Sequence, residues 1–450
     1  MLKIKVNWED APGVRDAALA RTWCRLRVLV NNRSVISYLT SDGNARDYVY
    51  VSALPLAKWF VHRYWSVLNE SARHERVGLG ARVLSEPVGR ADVRAWTKRH
   101  SLLAAREGMA LPDVLLFRDG PDVRVVWRPD APAGGARFCG EGDERVSVEQ
   151  LRAGVTELVN VVLERLVEDS SAEVMELRES WSAVGRSSEH ERDLCEILAA
   201  VGEDPYETEL SDEQMDEIVS VIHTLPSGVW RDVLDVSDPA SLLKNVGVAK
   251  EFLAGLDLSG EPIVSAQSFT RIFGETSVGL APWQVGYARA RRVRAELGHA
   301  LVDCVGSVPE LIGECVGPIR VRLIQREAGS TPSRSRGVFS GALSSRRGDG
   351  HQLALPPLPE PDLRFHQVRA LHRWLPAAMH DGPRLLTRGY STVEQEGRAF
   401  AAELLAPAMG ILALQGQGLF DDEIARHYKV NPTVINFQIE NQLGQVANLG

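Results

Sequence analysis

The chain has 450 residues, of which 44% are hydrophobic and 25% charged, a composition typical of a globular protein of two or three domains. Its formal net charge of -9 argues against a protein that coats nucleic acid or an anionic membrane through bulk charge, although a local basic patch stays compatible with it. Five dispersed cysteines without a C-x-x-C pair argue against a disulfide framework or a zinc ribbon. We therefore expect a cytoplasmic protein, neither secreted nor membrane-spanning, because no signal peptide or long apolar run is found.

The first region, residues 1–140, alternates apolar and polar residues in a way that predicts strands. Two segments place this alternation on both sides of a turn pair, Asn31-Asn32 in one and Asp119-Gly120 in the other, and so predict two hairpins. Between them, VSALPLAKWF passes from a strand into a helix, with Pro55 in the first turn, where a missing N–H costs little. We expect a mixed α+β domain here.

The second region, residues 145–305, is predicted to be a helical domain. Ser147 and Gln150 form a capping box, and apolar residues at helical spacing follow it. Ser211 and Gln214 form a second capping box, which predicts the start of another helix. The arginine-rich segment PWQVGYARARRVRAELG suits either a phosphate-binding helix or a solvated helix face, and the acidic balance of the chain favours the solvated face.

The third region, residues 310–450, contains the polar segment EAGSTPSRSRG, which predicts a mobile connection. Short strands are expected at GVFSGALSS and HQLALPPL. Helices are expected at residues 362–375, 391–406, 420–428 and 431–443. For the whole chain the expected fold class is α+β, predominantly helical.

A family resemblance rests on the order of three segments in this region: RFHQVRALHRWL, then EGRAFAAELLAP, then DDEIARHYKVNPTVINFQIENQL. This order resembles the peptidase domain of the ImmA/IrrE family of zinc metallopeptidases, in which R-F-x-x-A-H-E-x-x-H is followed by E-A-N-x-F-A-A-x-L-L-x-P. The segments PWQVGYARARRVRAELG and VSALPLAKWFVHRYWSVLNE are similar to upstream parts of long, multi-domain bacterial members of that family. The resemblance implies a zincin-like domain with a small sheet over residues 310–450, ending in a helix-turn-helix-like pair.

The chemistry of that family is not retained at the matching positions. An H-E-x-x-H helix works because two imidazoles at i and i+4 bind one metal ion while the glutamate activates the bound water. Those positions hold Arg369, Ala370 and Arg373 in this chain, and a guanidinium has no lone pair to give a metal. Glu396 alone matches a ligand, the third one of the family. We therefore expect no metal, no other cofactor and no catalytic residue.

Two further histidines near these positions do not replace the lost ligands. His366 and His372 lie six residues apart, which places them about 120° apart around a helix. They therefore cannot coordinate the same metal ion. His372 is expected to pack in the apolar stripe of its helix.

The resemblance therefore implies a catalytically inactive homologue that binds rather than cleaves. Its partner would be a protein, such as a helix-turn-helix regulator or a component of a defence operon, in a mobile-element, stress or defence circuit. One alternative is an active zinc endopeptidase with unusual ligands, such as Glu396 joined by residues of another segment, that cleaves a helix-turn-helix regulator. The other is a DNA-binding transcriptional regulator. Direct DNA binding is disfavoured because no Arg or Lys lies between Asn431 and Leu443.

Two structural predictions follow from the replaced motif. Arg369 and Arg373 lie at i and i+4 of one helix, so we expect at least one guanidinium to bond to the carboxylate of Glu396 in place of the metal. The C-terminal helical pair is expected to pack on the helix at residues 391–406.

Overall fold

The computed structural model describes residues 1–11, 13–40, 43–73, 91–130, 137–208, 210–259, 280–324, 337–346, 350–375 and 382–443. The chain forms two compact units, Met1–Val219 and Ser220–Gly450. It is a mixed α/β protein in which helices hold more of the described residues than strands do, so the expected fold class is confirmed at this level. The segment EAGSTPSRSRG lies outside the described residues except for its last glycine, Gly337.

Three small sheets lie in the described part of the first unit. Their strands are β1 (Leu2–Trp8), β2 (Trp23–Val30), β3 (Arg33–Ser34), β4 (Tyr38–Leu39), β5 (Ala45–Arg46), β6 (Val49–Ser52), β7 (Asp113–Asp119), β8 (Asp122–Arg128), β9 (Arg137–Phe138) and β10 (Gly142–Ser147). In the first sheet, β2 pairs antiparallel with β1 on one edge and with β3 and β6 on the other. In the second sheet β8 lies between β7 and β10, and in the third β4 lies between β5 and β9.

Both predicted hairpins are confirmed. Asn31 and Asn32 take φ values of 50° and 65° between the paired strands β2 and β3, as a tight turn of asparagines allows. Gly120 takes a φ of 63° between β7 and β8. The turn residues seen in the sequence therefore set the register of both hairpins.

The described part of the first unit contains several helices, some of which contact the sheets while others pack on helices. They are α1 (Ala17–Arg21), α2 (Leu54–His62), α3 (Tyr64–Asn69), α4 (Ala91–His100), a 3₁₀ turn (Leu102–Ala105), α5 (Val148–Arg165), α6 (Ala172–Arg186), α7 (Glu189–Ala200) and α8 (Asp212–His223), which contains the boundary between the units. The capping box of Ser147 and Gln150 opens α5 as predicted, and its apolar stripe lies in the same core as β1 and β2. Helix α5, at the start of the region 145–305, therefore belongs to the core of the N-terminal strands. The boundary between the units, after Val219, falls inside that region.

The second unit contains a four-stranded sheet of order β11-β13-β12-β14. Its strands are β11 (Ile319–Leu323), β12 (Phe339–Arg346), β13 (Gly350–Leu355) and β14 (Arg384–Thr387). β11 runs parallel to β13, whereas β12 is antiparallel to both β13 and β14. The strands expected at GVFSGALSS and HQLALPPL are thus confirmed, while β11 and β14 were not predicted.

The helices of the second unit supply the rest of its core. They are α9 (Ser227–Leu234), α10 (Leu242–Ala254), α11 (Pro282–Glu296), α12 (Val308–Val316), α13 (Glu360–Trp374), α14 (Thr392–Leu405), α15 (Ala408–Gly416), α16 (Asp421–Tyr428) and α17 (Pro432–Gln438), which continues as a π turn (Ile439–Leu443). Helix α14 is central, because α11 and α13 both pack along it. Gly286 of α11 permits the close approach, since a Cβ there would lie 2.3 Å from the carbonyl oxygen of Glu396.

The stretch Thr392–Gly416, which covers α14 and α15, is long and apolar enough to cross a membrane by length and composition. Its most apolar window has a mean hydropathy of 1.4, and 72% of that window is buried inside the structure. Burial of this extent is typical of a helix in the core of a soluble protein.

Candidate functional site

The segment whose sequence resembles the metallopeptidase motif lies on α13, and its positions 369, 370 and 373 lie on the side of the helix that faces the sheet and α14. Pro361 near its start and the acidic residues Glu360 and Asp362 in its first turn favour helix formation there. Arg369, Ala370 and Arg373 are all buried, with exposed fractions of 3%, 0% and 7%. Two charged side chains are thus held in the interior, where each requires a partner.

Both guanidinium groups converge on a single carboxylate, that of Glu394 in the first turn of α14. Nη2 of Arg373 donates to Oε1 of Glu394 at 2.8 Å, and Nη2 of Arg369 donates to Oε2 of the same side chain. The backbone N–H of Thr387 also donates to Oε1, at 3.3 Å. Glu394 itself is 2% exposed. We call Arg369, Arg373 and Glu394 the Arg-Glu-Arg cluster.

Arg369 makes further hydrogen bonds that fix its position. Its Nη1 donates to Oγ of Ser340 on β12 at 3.0 Å, and its Nη2 donates to the carbonyl oxygen of Thr387 on β14 at 2.6 Å. Nη1 also lies 3.3 Å from Nδ1 of His366. The guanidinium therefore joins α13, the sheet and α14, a task that a planar group with five donors performs better than a point charge.

The charges of the cluster are strongly coupled. Burial raises the pKa of Glu394, but the guanidinium groups of Arg369 and Arg373 outweigh it and hold the pKa below its usual value. Glu394 is therefore a carboxylate at neutral pH. Removing Glu394 would leave two guanidinium groups in the core without the carboxylate that is bonded to both of them.

A second buried carboxylate, Asp232 of α9, lies at the edge of the cluster. Its Oδ1 is 3.9 Å from Nη2 of Arg373, and its Oδ2 accepts a 2.8 Å hydrogen bond from the backbone N–H of Leu385. Burial raises the pKa of Asp232 to about 6, although the nearby charges of Arg373 and Arg384 lower it. Direct contact with two guanidinium groups distinguishes Glu394 from Asp232, and this explains the opposite directions of their pKa shifts.

The predicted bond between Glu396 and the arginines of α13 is wrong. Oε2 of Glu396 instead accepts a 2.5 Å hydrogen bond from Nη1 of Arg289 on α11. The reason is geometric: Glu394 and Glu396 are two residues apart on α14, so their side chains leave the helix about 200° apart. The side of α14 that faces Arg369 and Arg373 carries Glu394, while Glu396 lies on the side that faces α11.

His372 is buried between these two groups of charges. Its ring packs on Phe400, with centroids 5.3 Å apart, which confirms the expectation that it packs in the core. Nη1 of Arg289 lies 3.3 Å from its Nε2, so this nitrogen is the acceptor and the ring is neutral. Burial, followed by the charge of Arg289, holds the pKa of His372 well below its usual value.

His366 lies on another part of α13 and is neutral as well. Burial, followed by the charge of Arg369, lowers the pKa of His366 to about 3. Its Nδ1 accepts from Arg369, whereas Nε2 of His372 accepts from Arg289, so the two rings serve different arginines. The described residues contain no group of three or more His, Cys, Asp or Glu side chains placed to hold a metal ion.

The zinc ion that the family resemblance implies does not fit the residues at this site. The two positions that would carry imidazoles present guanidinium groups, which have no lone pair for a metal. These groups are already bonded to the carboxylate that faces them. Ala370, at the position of the general base, cannot accept a proton.

The solvated face expected for the arginines of α11 is found only in part: Arg291 and Arg292 are exposed, whereas Arg294 is 2% exposed. Arg291 bonds to Oε1 of Glu403 at 2.7 Å, and Nη1 of Arg294 donates to the carbonyl oxygen of Leu404 at 2.7 Å. With Arg289 on Glu396, three arginines of α11 reach α14. The bonds of these arginines to α14 were not predicted, because the spacing of residues on α11 contains no information about carboxylates on a neighbouring helix.

In the C-terminal pair of α16 and α17, the second helix packs on α14 as predicted. Nε2 of Gln438 donates to Oε2 of Glu403 and to the carbonyl oxygen of Ala406, both at 2.8 Å. The hydroxyl of Tyr428 donates to the carbonyl oxygen of Leu301 at 2.9 Å. Lys429 separates the two helices with a φ of 53°. The pair thus closes the core of the second unit.

Comparison of the chain with protein-family models, with curated proteins and with solved structures finds no match.

Substitution of Glu394 by glutamine tests whether the Arg-Glu-Arg cluster stabilises the second unit. We expect Glu394→Gln to lower the free energy of unfolding by about 3 kcal/mol, because two buried guanidinium groups lose their counterion. Glu396→Gln, the matched control two residues later, should cost less because the side chain of Glu396 is 11% exposed, against 3% for that of Glu394. Urea unfolding of both variants at neutral pH measures the difference, and an equal or larger loss for Glu396→Gln would contradict the assignment.

Proposed function

We propose that the chain is a catalytically inactive homologue of ImmA/IrrE metallopeptidases that acts by binding a protein partner. The observation that carries this proposal is the Arg-Glu-Arg cluster, in which two guanidinium groups stand at the positions of the family's zinc-binding imidazoles. A buried ion network of this kind holds α13 to α14 without a metal. The frame of a peptidase site is thereby kept while its catalytic groups are replaced.

The zincin-like assignment of residues 310–450 is part of this proposal. It is supported by a small mixed sheet beside the helix that carries the altered motif, followed by a second helix that supplies an acidic residue. Since the side chains at positions 369 and 373 point to Glu394, we infer that Glu394, rather than Glu396, stands where the family has its third ligand. The motif RAFAAELLAP lies just after it and provides the buried face of α14.

The partner we propose is a helix-turn-helix regulator or a component of a defence operon, in the cytoplasm. Exposed aromatic side chains near the C-terminal pair support a protein-binding surface: Phe420 is 78% exposed and Phe437 55%. The missing Arg and Lys between Asn431 and Leu443 disfavour DNA as the ligand of this pair. The five thiols of the chain are all free, which suits a reducing compartment.

Restoring the motif tests whether the site has the frame of a metallopeptidase. The triple variant Arg369→His, Ala370→Glu, Arg373→His should bind about one zinc ion per chain, as three protein ligands allow. Adding Glu394→Gln should abolish this zinc, whereas adding Glu396→Gln should leave it. The parent chain should hold much less than one equivalent. Elemental analysis of the purified, zinc-dialysed proteins measures all four.

Two results of that experiment would contradict the proposal. Zinc bound by the parent chain at about one equivalent and lost with Glu396→Ala would support the active enzyme with unusual ligands. Failure of the folded triple variant to bind zinc would remove the support for a peptidase frame. Circular dichroism and unfolding curves show whether the triple variant is folded.

Binding without cleavage is the direct test of the proposed activity. We expect the full chain to co-elute in size-exclusion chromatography with a helix-turn-helix regulator encoded by a neighbouring gene. The mass of the regulator should be unchanged after incubation. Phe437→Ser should weaken the complex, while Phe365→Ser, at a half-buried position away from the C-terminal pair, is the control for a lost aromatic side chain.

Other outcomes would favour the alternatives. Cleavage of the regulator that a chelator stops would indicate an active peptidase. Salt-sensitive, sequence-selective binding of duplex DNA that is lost on deleting residues 420–450 would indicate a DNA-binding regulator.

A further inference from the structure

The first sheet of the first unit has one buried face and one open face. Along β1 and β2, the side chains of Leu2, Ile4, Leu26 and Val28 lie in the core. The alternate residues of the same strands point the other way, because successive side chains of a strand leave opposite faces. The open face carries Lys3 and Lys5 of β1, Arg25 and Arg27 of β2, Tyr50 of β6, and the adjoining Tyr48 and Arg46. We call these seven residues the basic face.

The register of the sheet places the cations side by side. Lys5 of β1 lies opposite Arg27 of β2, and Arg25 of β2 lies opposite Tyr50 of β6. Lys3 and Lys5 are both exposed, and no hydrogen bond or ion pair joins them to the described residues. The basic face therefore brings cations of two adjacent strands, β1 and β2, next to Tyr50 on the third strand, β6.

Two tyrosine rings lie among these cations. The guanidinium carbon of Arg25 is 4.8 Å from the ring centroid of Tyr48 and 5.8 Å from that of Tyr50. Arg27 and Arg46 each approach the Tyr48 ring at 5.8 Å. The two rings meet edge to face, with centroids 5.5 Å apart. These contacts orient the rings, and Tyr50 remains 39% exposed.

The positive charge of the face is only partly neutralised. Glu9 pairs with Arg25 at 2.7 Å and Asp47 pairs with Arg27 at 2.9 Å. The five cations of the basic face thus outnumber the two carboxylates bonded to them. This local excess contrasts with the net charge of -9 of the whole chain.

We propose that the basic face binds single-stranded nucleic acid. Cations on a sheet attract the phosphate backbone, and an exposed aromatic ring provides a stacking surface for an unpaired base. A duplex hides the faces of its bases, so the exposed Tyr50 ring would be of no use to it. An acidic polypeptide would use the cations but would gain little from the ring. This site lies in the first unit and does not depend on the function proposed for the second.

The test is fluorescence anisotropy with the full chain and labelled oligonucleotides of about 16 nucleotides. Single-stranded DNA and single-stranded RNA are both probed, and a duplex of the same sequence and a polyglutamate of equal charge are the competitors. We expect a single strand to bind and to be displaced poorly by both competitors. Affinity should fall with salt with a log–log slope of about −2, which corresponds to roughly three neutralised phosphates.

Variants separate the roles of charge and ring. Tyr50→Ala should weaken binding roughly tenfold, and Tyr50→Phe, which retains the ring, should leave it nearly unchanged. The double variant Lys3→Glu, Lys5→Glu should abolish it. Arg186→Glu with Arg192→Glu, on α6 and α7, makes the same change of charge away from the sheet and should have little effect.

Three results would overturn the proposal. The first is no binding of either single strand by the folded parent chain. The second is displacement by polyglutamate as effective as by an unlabelled single strand, with no effect of Tyr50→Ala, which would indicate an acidic polypeptide. The third is an equal loss of binding in the control variant on α6 and α7, which would indicate attraction by charge alone.

Discussion

The carboxylate of Glu394 lies in the interior of the second unit, and a charge buried there needs compensation from close by. Arg369 and Arg373 provide it from one side of α13, at the i and i+4 positions of a single helix. The position of α13 on α14 and on the edge strand β14 depends on this contact, since Arg369 also bonds to Thr387 and Ser340. Conversely, without Glu394 the guanidinium of Arg369 would lose this ion pair, and that of Arg373 would be left with the longer 3.9 Å approach to Asp232.

The same principle recurs along the whole of α14. Glu396 is bonded to Arg289, and Glu403 is bonded to Arg291 and to Gln438. Glu394 is thus bonded to arginines of α13, while Glu396 and Glu403 are each bonded to an arginine of α11. Apolar residues such as Phe400 and Leu404 fill the space between them. Helices α11, α13 and α17 all contact α14, and a side chain from each of them is bonded to a carboxylate of α14.

The elements of this unit could largely be predicted from the sequence, because apolar periodicity and turn residues are local signals. The helix at residues 362–375 and the strand at GVFSGALSS correspond to α13 and β12. The placement of Arg369 and Arg373 on one side of a single helix was also predictable, because they are four residues apart. The two short strands β11 and β14 were not, since four or five residues carry too little periodicity.

The partner of the two arginines could not be derived from the sequence. Glu394 and Glu396 are the same type of residue and lie two positions apart. The rotation of α14 about its axis decides which of them faces α13. That rotation is set by the packing of α11, whose Gly286 approaches the backbone at Glu396. A family pattern aligned by its F-A-A-x-L-L segment points to Glu396, two residues away from the carboxylate that the geometry selects. Ion pairs between helices are long-range in sequence, and spacing within one helix contains no information about them.

The claim that a carboxylate held by two guanidinium groups organises the second unit is tested most directly by a double-mutant cycle. Arg373→Met and Glu394→Met are made singly and together, and the free energy of unfolding is measured for each protein. We expect a coupling energy of about 2 kcal/mol or more between Arg373 and Glu394, because the two side chains form a buried ion pair. A cycle of Arg373→Met with Glu396→Met should give a coupling near zero. A negligible coupling between Arg373 and Glu394, or a larger one between Arg373 and Glu396, would contradict the role of Glu394 in organising the second unit.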